Sequence, residues 1–159
     1  MQNHLVIIGA VWPEPTSTAA GSRMLQLIEL FQNRDYTITF LCSSSKTNFS
    51  YNLENKNIKE FNIKFNCNSF DSLLLELNPT IVLYDRFMME EQYGWRVTEN
   101  CPNAIQILDT EDLHFLRKAR ETAFKQHRAL QPEDYLSDLF KREIASIYRC
   151  DLSLLISEY

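Results

Sequence analysis

Glycine is nearly absent from this chain: Gly9, Gly21 and Gly94 are the three among 159 residues. Neither the G-x-G-x-x-G turn of dinucleotide-binding folds nor the G-x-x-x-x-G-K-[ST] phosphate loop can be written from glycines so placed. Cysteine is scarce too. Cys42, Cys67, Cys101 and Cys150 lie far apart and form no C-x-x-C pair, which excludes a zinc ribbon and a thioredoxin-type redox site. His4, His114 and His127 are equally scattered. There is no apolar run of membrane-spanning length and no basic segment leading into an apolar stretch, so neither a span nor a signal peptide is read. Free thiols without an export signal give a cytoplasmic protein as the expectation. Positive charge is also short: 16 Lys plus Arg stand against 21 Asp plus Glu, a net charge of −5. That is the wrong sign for a protein that coats phosphate backbones, so nucleic acid is not an expected partner.

What is present is an ordinary folding composition, 45% hydrophobic and 23% charged, at a length that suits one domain. Short β-branched runs alternate with stretches of helical period. Strands are expected over residues 4–9, 36–42, 58–65, 80–84, 104–108 and 152–156, with 58–65 at an edge because its lysines suit one. Helices are expected over 18–33, 70–77 after a Ser69 cap, 90–100, 111–128 and 133–149. In the first of these, Met24, Leu27, Ile28 and Phe31 fall on one face. In the last, the apolar stripe is Leu136, Leu139, Phe140, Ile144 and Ile147. The alternation predicts an α/β fold: an open, mostly parallel sheet of about six strands with helices on both faces, residues 1–159 forming one Rossmann-like domain.

Ligands of open α/β sheets bind beyond the carboxyl ends of the strands. The loop after the first strand is long and small, and the run from Ser17 to Ser22 lets a ligand approach backbone amides at a helix N-terminus, with Arg23 near by. A plain capped helix entrance explains the same residues. After the fourth strand stands Tyr84-Asp85-Arg86-Phe87, and after the fifth Asp109-Thr110-Glu111-Asp112-Leu113-His114. Charges there face a ligand or brace the loops as ion pairs, Asp85 with Arg86 or Asp109 with Arg117. Asp109 and Asp112 also suit helix capping, and His114 titrates in the range of a general base.

The segments VWPEPTSTAAGSRMLQLIELF, YDRFMMEEQYGWR, ILDTEDLHFLR and DLSLLISEY together resemble the N-terminal, acceptor-side Rossmann-like domain of GT-B-type, family-4-like glycosyltransferases. The resemblance implies that Ala20, Gly21, Ser22 and Arg23 line an interdomain cleft and that Asp112 or His114 is the base for an acceptor hydroxyl, while Asp85, Arg86 and Asp109 are expected to contact substrate from their place at the strand ends. It further implies a nucleotide-sugar co-substrate, a sugar or other hydroxyl acceptor, no metal and no other cofactor. A C-terminal Rossmann-like domain would hold the donor, and the chain, ending just past its last strand, would be the inactive front part of that longer protein.

Two other readings fit some of the residues. A flavodoxin-like binding or switch module would gather Glu14, Asp85 and Asp109 around Mg²⁺. Against it, Trp12-Pro13-Glu14 lacks the adjacent acidic pair of a phospho-acceptor site, and Ser157-Glu158 lacks its lysine. An interaction domain would use Trp12, Phe87, Tyr93 and Trp95 as a docking face, residues that core packing explains equally well. The basic face of Arg117, Lys118, Arg120, Lys125 and Arg128 suits either solvent or a membrane surface carrying lipid acceptors.

Overall fold

The computed structural model describes residues 3–156. The elements follow one another as β1 (His4–Gly9), α1 (Ala19–Gln32), β2 (Thr37–Cys42), β3 (Lys59–Asn62), α2 (Ser69–Leu77), β4 (Ile81–Asp85), α3 (Phe87–Asn100), β5 (Ile105–Asp109), α4 (His114–Lys125), α5 (Asp138–Arg149) and β6 (Leu152–Leu154). All neighbouring strands pair in parallel, in the order β3-β2-β1-β4-β5-β6. The winding reverses between β1 and β4, and the crevice at such a switch point is where ligands of open sheets sit.

The period of 2 along each strand divides the core in two. Val6, Ile8, Leu41, Val82, Tyr84 and Leu108 face α2 and α3, where Phe70, Leu74, Tyr93 and Val97 close one layer. Leu5, Ile7, Ile38, Phe40, Leu83 and Ile107 face α1, where Met24 and Ile28 close the other. Runs buried on both faces are the mark of parallel strands, and β1 and β4 are such runs.

Several boundaries differ from the sequence expectation. The edge strand β3 is only four residues, and its side chains are largely exposed. The cap position of α2 is Asn68, and the Ser69 hydroxyl turns to Cys67 Sγ at 3.1 Å. The third helix starts at Phe87 rather than at residue 90. Glu111 takes a left-handed backbone (φ 58°), which keeps 111–113 out of the helical series, and α4 begins at His114. The stretch 133–149 is broken into a 3-10 turn, Pro132–Tyr135, and the helix α5, which Ser137 caps by accepting the Phe140 amide at 3.1 Å. Leu136 falls in that break and is exposed, and the most buried residues of α5 are Glu143 and Ser146. Strand β6 ends at Leu154, and Ser157-Glu158 lie outside the described residues.

Of the aromatic residues considered for docking, Trp12, Phe87 and Tyr93 are core and Trp95 is exposed. No described helix is long and apolar enough to cross a membrane.

Candidate functional site

The loop after β1 folds back over the start of α1. The Glu14 carbonyl accepts the Ser17 and Thr18 amides at 3.1 and 2.9 Å, Thr18 Oγ1 caps the helix by accepting the Gly21 amide at 2.9 Å, and the Ser22 hydroxyl donates to the Pro15 carbonyl at 3.0 Å. Gly21 makes this possible, because a Cβ there would stand 2.4 Å from the Glu14 backbone. Arg23 leaves the loop altogether. Its Nε lies 3.2 Å from both carboxylate oxygens of Asp109 and its Nη2 lies 2.8 Å from Oδ1, a bidentate pair whose carboxylate is completely buried.

Asp85 stands at the switch point. Its Oδ2 accepts the amide of Ala10, just past β1, at 3.0 Å. Its Oδ1 is buried without a hydrogen-bond partner among the described residues, the nearest cation being Arg86 Nε at 3.7 Å. Burial pushes its pKa up to about 6, against the opposing pull of Arg86. Arg86 itself has φ 75° and ψ 155°, a region occupied almost only by glycine and costing roughly 1–3 kcal/mol for other residues. The conformation is held by its amide on the Asp109 carbonyl at 2.8 Å and by its Nε on Glu111 Oε2 at 2.8 Å. Asp85, Arg86 and Glu111 share a small cavity of about 60 Å³ with Trp12, Ala20 and Gly21. Strain of this kind collects where a site must hold a side chain in one direction.

Beyond β5 the geometry centres on His114. Asp112 pairs with Arg117 Nε at 3.2 Å and stands 3.9 Å from the imidazole. His114 is the first residue of α4, and its Nδ1 lies 3.1 Å from both the Asp112 carbonyl and Glu143 Oε1. Glu143 is wholly buried and also accepts the amides of His114 and Phe115, at 3.1 and 2.9 Å. The Glu143 hydrogen bond, helped by the charges of Glu143 and Asp112, raises the pKa of His114 above 6.5, against burial and Arg117. The imidazole meets the Phe87 ring edge-on at 5.4 Å and lines a cavity of about 350 Å³ with Met88, Leu139, Arg142 and Lys118. That is room for a sugar-sized group.

The site residues named from the sequence therefore fall into three groups. Ala20 and Gly21 border one cavity with Asp85 and Arg86. Arg23 and Asp109 bind each other, and Ser22 fastens the loop. His114 lines the second cavity, with Asp112 beside it. Phe87, which follows Arg86, lines the second cavity with His114. Glu143 escaped sequence reasoning. The available signal was a carboxylate inside an apolar stripe, four residues from both Leu139 and Ile147. Glu14, Asp85 and Asp109 take separate partners, Thr47, Ala10 and Arg23, and among the described residues no group of three His, Cys, Asp or Glu gathers to hold a metal ion.

An open, all-parallel sheet of this order with a crevice at the switch point defines a Rossmann-like fold class. Solved structures place it further. The lipopolysaccharide outer core galactosyltransferase WaaB, in its apo form, matches over 98% of this chain and 40% of its own, at 15% identity and a TM-score of 0.58. An alpha-glucosyltransferase in complex with UDP and a 13-mer DNA containing a HMU base matches over 96% of this chain and 37% of its own, at 13% identity and a TM-score of 0.54. An alpha-glucosyltransferase in complex with UDP and a 13-mer DNA with a central A:G mismatch matches over 99% and 38%, at 14% identity and a TM-score of 0.54. The fold is the Rossmann-like half of a GT-B fold. The chain spans about 40% of the length of the first of these structures. No family model matches the sequence, and no curated protein does.

Proposed function

We propose that this chain is the acceptor-side domain of a glycosyltransferase, which moves a sugar from a nucleotide-sugar donor to an acceptor hydroxyl. The observation that carries the reading is the pair of cavities at the carboxyl end of β4, one lined by the buried Asp85 and the strained Arg86 and the other by a histidine fixed by a buried carboxylate. The acceptor lies in the larger cavity, and His114 takes the proton of its hydroxyl. As that oxygen bonds to the anomeric carbon, the bond from that carbon to the nucleoside diphosphate breaks and the diphosphate departs. Asp85 accepts a hydrogen bond from a hydroxyl of the bound sugar or acceptor through its free oxygen, with Arg86 alongside. Asp112 holds Arg117 and contributes its charge to the imidazole, a supporting part rather than that of the base. The donor is held by a C-terminal Rossmann-like domain, so the chain alone does not turn over. With a net charge of −5, the acceptor is a sugar or other small hydroxyl compound rather than a nucleic acid.

The test is kinetic, in a protein carrying both Rossmann-like domains. His114→Ala lowers sugar transfer by about a hundredfold or more, as expected for a lost general base, while Asp112→Asn costs less. If His114→Ala leaves transfer within about tenfold of wild type with the fold intact by circular dichroism, His114 is not the base.

A further inference from the structure

Packing alone does not explain Glu143. A carboxylate with no exposed surface sits on the apolar face of α5, and isolated burial of such a group is strongly unfavourable. Its oxygens are fully engaged, but all three donors come from the first turn of α4: the amides of His114 and Phe115 and the ring Nδ1 of His114. Two backbone amides account for a helix cap supplied from a neighbouring helix. They leave the ring contact unexplained. The imidazole settles its own protonation there, because both neighbours of Nδ1, the Glu143 carboxylate and the Asp112 carbonyl, can only accept. The proton of the neutral ring therefore sits on Nδ1, and the lone pair is on Nε2.

We infer that Glu143 is a positioning residue that fixes the tautomer and ring direction of His114, so that Nε2 is the basic nitrogen offered to the 350 Å³ cavity. The inference rests on the proposed role of His114 as base. It adds that a residue on another helix, remote in sequence and sealed from substrate, sets the working state of that base. The groups around the imidazole are mixed in sign. Glu143 approaches from α5 and Asp112 from the loop before α4, while Arg117, Lys118 and Glu121 of α4 and Arg142 of α5 rim the cavity. Of these, Glu143 alone is both buried and in hydrogen-bond contact with the ring. Its removal is therefore expected to change the imidazole more than the removal of any rim charge.

The experiment is long-range ¹H–¹⁵N correlation NMR on the 159-residue chain, labelled at histidine, across pH 5–9. In wild type, neutral His114 shows a protonated Nδ1 and a bare Nε2, with a midpoint above 6.5. In Glu143→Gln, which leaves the Asp112 carbonyl in place, the midpoint falls and the preference for the Nδ1–H form weakens, whereas Glu121→Gln on the rim leaves the midpoint and tautomer nearly unchanged. A wild-type ring protonated on Nε2 overturns the inference even if Glu143→Gln fails to fold. So does a folded Glu143→Gln chain with the wild-type tautomer and midpoint, since a mere helix cap leaves both alone. In the two-domain protein, Glu143→Gln lowers kcat by tenfold or more and moves the acidic limb of the pH profile to lower pH, with little change in KM. If His114→Ala has no effect on transfer while the NMR result stands, the base assignment fails and the positioning does not. If the NMR result fails while His114→Ala abolishes transfer, the reverse holds.

Discussion

Asp85→Asn should make this protein more stable at neutral pH, and by an amount that depends on pH. In the unfolded chain the carboxyl loses its proton near 3.8, whereas in the fold, where it is buried, it keeps the proton up to about 6. Between those values the folded state binds more protons than the unfolded state, so stability falls as pH rises through the window. Below about pH 3 both states are protonated and nothing is lost. Above about pH 6 the full cost is present, and a displacement from 3.8 to about 6 corresponds to roughly 3 kcal/mol. Asparagine keeps the acceptor for the Ala10 amide, and Arg86 retains Glu111, so the substitution removes the charge without orphaning either neighbour. The assay is urea unfolding of wild type and variant at pH 4, 5, 6, 7 and 8. The variant should gain on wild type by about 2–3 kcal/mol between pH 4 and pH 7, which at a typical slope moves the midpoint by about 1–2 M. His114 drops out of the difference because both chains carry it. A gap that stays flat with pH refutes the costly buried charge at Asp85, since the amide group that replaces Oδ1 shifts stability equally at every pH. The same substitution should lower sugar transfer in the two-domain protein, since a carboxylate kept at such a cost is the kind of group a site trades for stability.

Two further substitutions probe the frame around the site. Arg23→Met strands the fully buried Asp109 carboxylate and should cost about 3–5 kcal/mol in denaturant unfolding, most of it recovered by adding Asp109→Asn; a loss below about 1 kcal/mol contradicts the pairing. Gly21→Ala drives a methyl into the Glu14 backbone and should cost about 1–3 kcal/mol, with a shift in the fluorescence of Trp12, which the same loop carries; unchanged stability and fluorescence show that the loop does not pack there.

The sheet was legible because parallel strands buried on both faces are written as unbroken apolar runs, and LVII and IVLY announce themselves. The strand ends followed, and with them Asp85, which lines the smaller cavity, and Asp109, which the fold turns to Arg23. What the local pattern could not give was partnership. Arg23 and Asp109 are 86 residues apart, and only the fold brings their charges together. Helix α5 was read as an apolar stripe because periodicity weighs the four hydrophobic side chains and passes over the one carboxylate among them. Glu143 matters through α4, which no window on α5 contains. The backbone of Arg86 was equally hidden, since a left-handed arginine is imposed by tertiary contacts that no local rule encodes.

The most direct measurement asks whether sugar transfer needs this chain and the proposed C-terminal domain together. A panel of nucleotide sugars is offered to the two-domain protein and to residues 1–159 alone, and release of nucleoside diphosphate is followed with and without hydroxyl acceptors. Acceptor-dependent release by the two-domain protein, abolished by His114→Ala and absent from the isolated chain, is the predicted result. No release from any nucleotide sugar by a folded two-domain protein, or turnover by the isolated chain, contradicts it.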